Sequence, residues 1–399
     1  LGGGYAGIEA AKKLHKQFKK DPNVSITLID QNPFHGLITE LHEVAGYRVE
    51  EDSVKIPLKH ILQYTKTKFI QDRIEKVDLK NRKVVLTNQE LKYDYLVIAT
   101  GSETSSFGIP GIEDHAFSLW SLDDAIKIKK HIVQMFELAK NEKNIEKRKQ
   151  LLTFVVGGGG FTGVEMMGEL MQWTRSLAKE YRIDGKEVRL IIAEALPQIL
   201  PTLKDNLTKK AVRFLEKNNV EIMTNSPIVE VTPDSVSLKD GQTLKTHTVI
   251  WTSGVQANSF VKETGLSLAK RNRIKVNRYL QSVDDAKVYA IGDNAYSIDE
   301  KGNGVPPFVE AALQTAKVAA QNIANDIKGI KEMEEFNPNF HGVMVSIGSI
   351  YAVADIMGFG MSWIFATLMK HLVNLHYIFG VGGLESCIDY LQHHFLSKA

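Results

Sequence analysis

Gly2, Gly4 and Gly7 form a G-x-G-x-x-G triplet, and Gly158, Gly160 and Gly163 form a second. That spacing suits one task. The first glycine permits a tight strand-to-helix turn, the second lets backbone approach a pyrophosphate, and the third lets the helix pack on its sheet. The anion then lies on the helix N-terminus, where unpaired N–H groups and the dipole favour negative charge. Each triplet is followed by a helical run, an apolar strand and an acid at that strand's end: Asp30 after residues 24–29, Glu194 after residues 188–193. An acid so placed accepts hydrogen bonds from a ribose. A lone triplet is a weak signal, but two complete strand–helix–strand–acid sets imply two dinucleotides.

The elements that hold these groups are legible in the apolar periodicity. The helix after the first triplet runs to Phe18 and the one after the second to about Tyr181. Strands are predicted at Thr67–Gln71, 83–87 and 95–99, the last running into Thr100-Gly101. Residues 121–139 read as a helix with Asp123 and Asp124 in its first turn, and the charged stretch 141–150 as a solvated surface segment. Beyond the second set come a helix at 209–218, strands at Val220–Met223, 228–231 and 236–238, and a hairpin turning at Asp240-Gly241. The strand leading to Gly254 echoes the one leading to Gly101, as a duplicated architecture would. Residues 288–293 read as a buried strand ending in Gly292-Asp293. A helix spans Val309–Ile327 after Pro306-Pro307, and strands follow at Gly342–Ser346 and Ala352–Ile356.

At 399 residues the chain is too long for one ordinary domain. Its 43% hydrophobic and 24% charged content is that of a soluble globular protein. A net charge of +2, with no sustained basic cluster interleaved with aromatics, argues against a nucleic-acid partner. The single cysteine, Cys387, excludes an internal disulfide framework and a C-x-x-C redox pair. Leu1 reads as the last residue of a β-strand, so the chain is expected to be a fragment and upstream targeting segments are not judged. No run of 18 uninterrupted apolar residues occurs, so nothing reads as a transmembrane helix.

The last forty residues change character. Ile364, Phe365, Leu368, Leu372, Leu375 and Phe379 line one helical face, with Thr367, Lys370, His371 and Asn374 opposite. After the Gly380–Gly383 region a second helix sets Leu384, Ile388, Leu391 and Phe395 in a stripe. Such faces suit an interfacial membrane anchor, or a dimerisation or core-packing face. Two lysines balance Glu385 and Asp389 there, so no basic bias aids membrane docking. His393 and His394 read as surface residues without partners for a metal. Tyr5 and Phe161, inside the glycine loops, read as packing residues.

The paired triplets, the Ala99-Thr100-Gly101 turn and Gly292-Asp293 resemble the two-dinucleotide flavoprotein superfamily over nearly the whole chain. Within it the chain resembles the type II NADH dehydrogenases, the single-chain NADH:quinone oxidoreductases. The matching pieces are Gly160 to Glu165 with Gly168-Glu169-Leu170, Glu194-Ala195 before Leu200-Pro201, and Trp251 to Val255. Pro306-Pro307 followed by Gln314, and the C-terminal helices with Gly382-Gly383, also match.

The resemblance implies an α/β fold with two Rossmann-like, glutathione-reductase-like domains. A discontinuous FAD-binding domain covers 1–115 and 275–335, an NADH-binding domain 116–274, and a C-terminal amphipathic helical module 336–399. It places FAD on Gly2, Gly4, Gly7, Asp30, Thr39, Thr100, Gly101, Gly292 and Asp293, and NADH on Gly158, Gly160, Gly163, Glu194 and Gly254. Glu194, with no arginine directly after it, implies NADH over NADPH. A hydride passes to the flavin, and two electrons then reduce a menaquinone-type quinone without proton pumping. The missing cysteine pair sets the chain apart from the disulfide reductases and sulfide:quinone enzymes of this fold.

Four residues are implied at the reacting centre: Glu165, Glu310, Gln314 and Lys370. Where the family's helix after Pro-Pro usually carries Ala-Gln, this chain has Val309-Glu310, and Gln314 keeps the family's second glutamine. From the residues alone, Glu165 and Glu310 also read as acids favoured by a helix N-terminus, and Lys370 as a solvated residue. The implied setting is a peripheral protein on the cytoplasmic face of the cell membrane, with a soluble cytoplasmic form as the alternative, and a homodimer. Other readings are an NADH-dependent reductase of a soluble redox partner and a nucleotide-binding regulatory flavoprotein.

Overall fold

The computed structural model describes residues 1–396; the side chain of Phe395, in the C-terminal stripe, lies outside the described residues. Helices run over Tyr5–Phe18 (α1), Leu41–Ala45 (α2), Leu58–Leu62 (α3), Ile112–His115 (α4) and Leu122–Asn141 (α5). They continue with Ile145–Leu151 (α6), Phe161–Tyr181 (α7), Asp205–Lys217 (α8), Val309–Ile327 (α9) and Ile364–Leu391 (α10). The chain forms two compact units. One comprises Leu1–Gly36, Lys55–Glu103 and Val255–Phe340; the other comprises Leu37–Val54, Thr104–Gly254 and His341–Ala399.

In the first unit Ile26–Asp30 pairs in parallel with Thr67–Gln71, and Leu96–Ile98 pairs in parallel with Val288–Ala290. Leu1 and Gly2 bridge these pairs: Gly2 N–H donates to Ile29 O (2.8 Å) and Ala99 N–H donates to Leu1 O (2.8 Å). Short side chains let helices approach closely, and Ala10 and Ala11 of α1 are buried in the same unit as Ala316, Ala319 and Ala320 of α9. An antiparallel meander of Ile74–Asp78, Lys83–Leu86 and Glu90–Lys92 completes the unit. Its first strand has no apolar alternation to betray it, since Ile74-Glu75-Lys76-Val77-Asp78 buries only Val77 fully.

The second unit is built on a five-stranded parallel sheet in the order Phe117–Ser118, Thr248–Trp251, Thr153–Gly157, Arg189–Ala193, Val220–Met223. Every residue of the central strand Thr153–Gly157 is buried, as expected of a strand covered on both faces. Ser121 caps α5 by accepting from Asp124 N–H (3.1 Å) while Asp124 accepts from Ser121 N–H (3.0 Å), a reciprocal box worth about 1 kcal/mol. The charged stretch after α5 is exposed, as expected of a solvated segment, and part of it is helical: Asn144 accepts from Glu146 and Lys147 N–H and starts α6.

The C-terminal residues of the same unit form an antiparallel sheet of Gly342–Ser346, Ala352–Ile356 and Phe359–Ser362, followed by α10. Gly383 leaves helical geometry at φ +71°, so α10 is two helical segments meeting at a kink, the helix pair expected around Gly380–Gly383. By length and composition Ile364–His394 is long and apolar enough to cross a membrane, which a search for uninterrupted apolar runs missed. Its packing inverts the usual sense of an amphipathic helix. Lys370 and His371, from the polar face, are buried, while Ile364, Phe365, Leu368, Leu372, Phe379 and Leu384 are exposed. Lys370 is therefore not a solvated residue.

Candidate functional site: two glycine cradles and a buried charge cluster

The two triplets fold into nearly the same object. Gly2 has φ +98° and Gly158 φ +115°, both in the region that side chains avoid. A Cβ on Gly2 would run into the Ala99 carbonyl, and one on Gly158 into Ser253; on Gly7 or Gly163 it would strike the carbonyl of the triplet's own first glycine. The third-position glycine is thus needed for contact between helix and turn. The acids close each loop from behind: Gly3 N–H donates to Asp30 Oδ2 and Gly159 N–H donates to Glu194 Oε2, each at 2.6 Å. Their other oxygens accept from Asn32 and Leu196 N–H, both at 2.7 Å. A carboxylate has about four acceptor sites, so capacity for a ribose hydroxyl remains.

At the mouths of both cradles nothing stands within 4 Å of where a Cβ on Gly4 or Gly160 would lie. Neither α1 nor α7 has a side-chain cap or an acid in its first turn. Two helix N-termini left without either device have the chemistry of pyrophosphate sites, and the residues fit two dinucleotides.

Of the residues expected around the first cradle, all but Thr39 lie in the first unit. Asn294 joins the two strand ends by accepting from Gly101 N–H (2.9 Å) and donating to Gly101 O (2.9 Å). Gly292 N–H donates to Thr315 Oγ1 on α9 (2.9 Å), and a Cβ on Gly292 would press on Ala6 of α1 at 3.2 Å. Ser102 donates a short hydrogen bond to Asp293. Burial pushes the Asp293 carboxyl up, against the pull of Ser102 and Arg273.

Glu310 lies in the first turn of α9. One turn on, Gln314 spends its amide on the backbone of Asn339, donating to its carbonyl (2.6 Å) and accepting from its N–H (2.9 Å). It holds the segment that follows α9.

In the second unit Gly254 faces the Phe107 ring so closely that a Cβ would overlap it. Thr39 is exposed, on the turn that delivers Glu40 inward. Glu165, one turn into α7, meets Lys370 of α10. Ser346 Oγ–H donates to Glu165 Oε1 (3.1 Å) and Lys370 Nζ donates to Ser346 Oγ (3.0 Å), with Lys370 and Glu165 3.9 Å apart.

Around this pair lies a buried charge cluster that the sequence reading missed. Lys370 Nζ is 3.1 Å from Glu43 and 3.6 Å from Glu40, and Arg48 contacts Glu43 (2.5 Å) and Glu169 (3.0 Å). Glu40 and Glu43 are both essentially inaccessible. His394 joins them, its Nε2 3.0 Å from Glu43 Oε2 and 3.8 Å from Glu40 Oε2. It is a partnered, interior residue, not a surface one. A signal was present: Glu165 and Glu169 are the only charges between Phe161 and Met171, one helical turn apart in an otherwise apolar run.

Burial sets the protonation of the cluster. It pushes Glu165 up to about 7 despite Lys370, and pushes Glu169 up to about 7 despite Arg48. Burial also opposes a charge on Lys370, but Glu40, Glu43 and Glu165 outweigh it and hold the ammonium. For Glu43 burial is overcome by Arg48 and Lys370, which keep it ionised. His42 is driven neutral, first by burial and then by Lys370.

Two acid-backed glycine cradles on α/β sheets define a class, the oxidoreductases that carry two dinucleotides. Comparison with known proteins narrows it. The pyridine nucleotide-disulphide oxidoreductase family matches residues 1–321. A type II NADH:quinone oxidoreductase of Staphylococcus haemolyticus is 31% identical over 388 residues, covering 96% of this chain and 95% of its own. The Staphylococcus aureus protein of the same name is 32% identical over 389 residues with the same coverage. Among solved structures, NDH2 from Plasmodium falciparum in complex with NADH superposes with TM-score 0.87 at 19% identity, covering 100% of this chain and 98% of that one. The sulfide:quinone oxidoreductase of Aquifex aeolicus gives 0.76 at 21% identity, covering 100% and 95%. The chain belongs to the pyridine nucleotide-disulphide oxidoreductase family, and within it to the type II NADH:quinone oxidoreductases.

Proposed function

We propose that this protein oxidises NADH through FAD and reduces a quinone of the menaquinone type, without pumping protons. The observation that carries the reading is the pair of acid-backed cradles in a chain whose only thiol, Cys387, has no partner thiol. The first cradle takes FAD: Gly2, Gly4 and Gly7 bind the pyrophosphate, Asp30 the adenosine ribose, and Asp293 with Thr100, Gly101 and Gly292 the remainder; Thr39 belongs to the same set. The second takes NADH on Gly158, Gly160, Gly163 and Gly254. There Glu194 accepts from the ribose 2′-hydroxyl and repels a 2′-phosphate. On this reading residues 1–115 and 275–335 serve the flavin, 116–274 the nicotinamide cofactor, and 336–399 form the anchoring module.

Bound FAD supplies two-electron redox chemistry between NADH and the acceptor. The chain's own contribution is positional and electrostatic. Glu165, poised near neutrality, holds a proton that quinone reduction consumes, and Lys370 balances its charge when that proton leaves. Glu310 stands at the acceptor pocket, and Gln314 positions the pocket's backbone wall through Asn339. The exposed apolar face of α10, opened by Trp363, docks the protein on the cytoplasmic membrane surface, where an apolar acceptor dissolves. A homodimer completes the proposed assembly.

Steady-state NADH oxidation against quinones and soluble acceptors tests this. Fast turnover with a menaquinone analogue is expected, with NADPH at least about tenfold slower, the discrimination that ~1.4 kcal/mol supplies. Flavin bleaching by NADH without quinone turnover would instead identify a reductase of a soluble partner. A protein that cannot be loaded with flavin would end the whole reading.

A further inference from the structure

Behind Lys370 three ligand atoms point at one another with nothing between them. Glu40, Glu43 and His394 each bring one ligand atom within 4.8 Å of the others, and neither carboxylate Oε2 has a hydrogen-bond donor in good geometry, the nearest being His394 Nε2 at 3.0 Å from Glu43 and 3.8 Å from Glu40. Buried polar atoms are rarely left so. The rest of each side chain is anchored outward. Glu40 Oε1 accepts from Asn374 Nδ2 (2.9 Å) and Glu43 Oε1 accepts from Lys370 Nζ (3.1 Å), leaving each Oε2 to face inward.

His394 Nδ1–H donates to the Tyr390 carbonyl (2.9 Å), which puts the lone pair of the neutral ring on Nε2. A backbone carbonyl on the far nitrogen is the usual support of a metal-bound histidine. The imidazole reaches this position from a π-helical turn, Gln392–Leu396, a widened geometry frequent at functional sites.

From this arrangement we infer that Glu40, Glu43 and His394 form a site for a divalent first-row transition ion of the Zn²⁺ type. One imidazole and two carboxylates match Zn²⁺ or Mn²⁺ better than Ca²⁺ or Mg²⁺, which prefer all-oxygen shells, or Cu⁺, which prefers sulfur. Donors about 2.1 Å from one ion stand at most ~4.2 Å apart, and the two distances to His394, 3.0 and 3.8 Å, already comply. An ion there ties the end of the C-terminal helix to α2, independently of the redox reading.

The test is isothermal titration of Zn²⁺ into the full-length, flavin-loaded, tag-free protein after removal of metal with EDTA. One ion per chain at micromolar affinity or tighter is expected, with a higher Tm in the presence of Zn²⁺. His394→Gln and Glu40→Gln should each weaken binding by about 100-fold or more, whereas His376→Gln, on the exposed side of α10, should not. Wild-type binding no tighter than that of His394→Gln, or a Tm indifferent to saturating Zn²⁺, would overturn the site and leave His394 as an imidazolium paired with Glu43. Should His394→Gln lose its flavin through misfolding, Co²⁺ difference spectra of the wild type decide: visible tetrahedral bands support the site and their absence removes it.

Discussion

The two glycine cradles are built alike, but the helices that leave them do different work. Their turns, their colliding carbonyls and their 2.6 Å acid contacts repeat almost residue for residue. One turn further on the copies part. On α1 the charged pair Glu9 and Lys13 sits toward the surface, 3.9 Å apart, and the buried face is uncharged: Tyr5, Ala6, Ile8, Ala10, Ala11 and Phe18. On α7 the acids Glu165 and Glu169 turn inward and need Lys370 and Arg48 to neutralise them. The lesson is one of separable tasks. A phosphate cradle occupies the first turn of a helix, and the next turns are free to pack or to carry charge.

The largest effects are expected at the cradles themselves, where the copies should fail in different ways. Gly2→Ala meets both a positive φ and the Ala99 carbonyl, and is expected to abolish flavin retention, read from the visible spectrum of the purified protein. Gly158→Ala should keep its flavin and raise the KM for NADH by about 100-fold, the scale of 1–3 kcal/mol of backbone strain. Loss of flavin from both variants would mean that the cradles are not independent.

Lys370→Met comes next. It strips the ammonium from three buried carboxylates and should cost about 3–5 kcal/mol in urea denaturation, while Lys13→Met stays within ~0.5 kcal/mol. Equal effects would erase the difference between the two helices.

The smallest effect is a slope. Glu165 titrates near 7 in the fold and near 4.5 when exposed, so between those values the folded state holds a proton that the unfolded state has lost. Stability contributed by this group therefore falls as pH rises from about 4.5 to about 7 and is flat above. Glu165→Gln removes that share, so its Tm should gain on the wild type across this window. Parallel Tm curves would show that Glu165 is not buried as described.

Much of the backbone was legible beforehand, because periodicity and the triplets are local. The bounds of α9, of Gly342–Ser346 and of Ala352–Ile356 follow from the apolar pattern alone. What escaped depends on distant partners. Ile74–Asp78 is a strand because its neighbours pair with it, not because its residues alternate. The polar side of α10 could be read, but not that it faces inward, since a helix wheel sorts residues without saying which side is covered. The charge cluster was hidden for the same reason: Glu43 and Lys370 are 327 positions apart.

Two glycines that bind nothing follow from that cluster. A Cβ on Gly46 would overlap the Glu169 side chain, and one on Gly168 would overlap the backbone at Ile347 and Gly348. They are clearances, the empty volume that lets α2 and the Gly342–Ser346 strand press against α7 and keep water off the carboxylates. A saturation-mutagenesis map would flag both as intolerant, and a reader of that map alone would mistake spacers for chemistry.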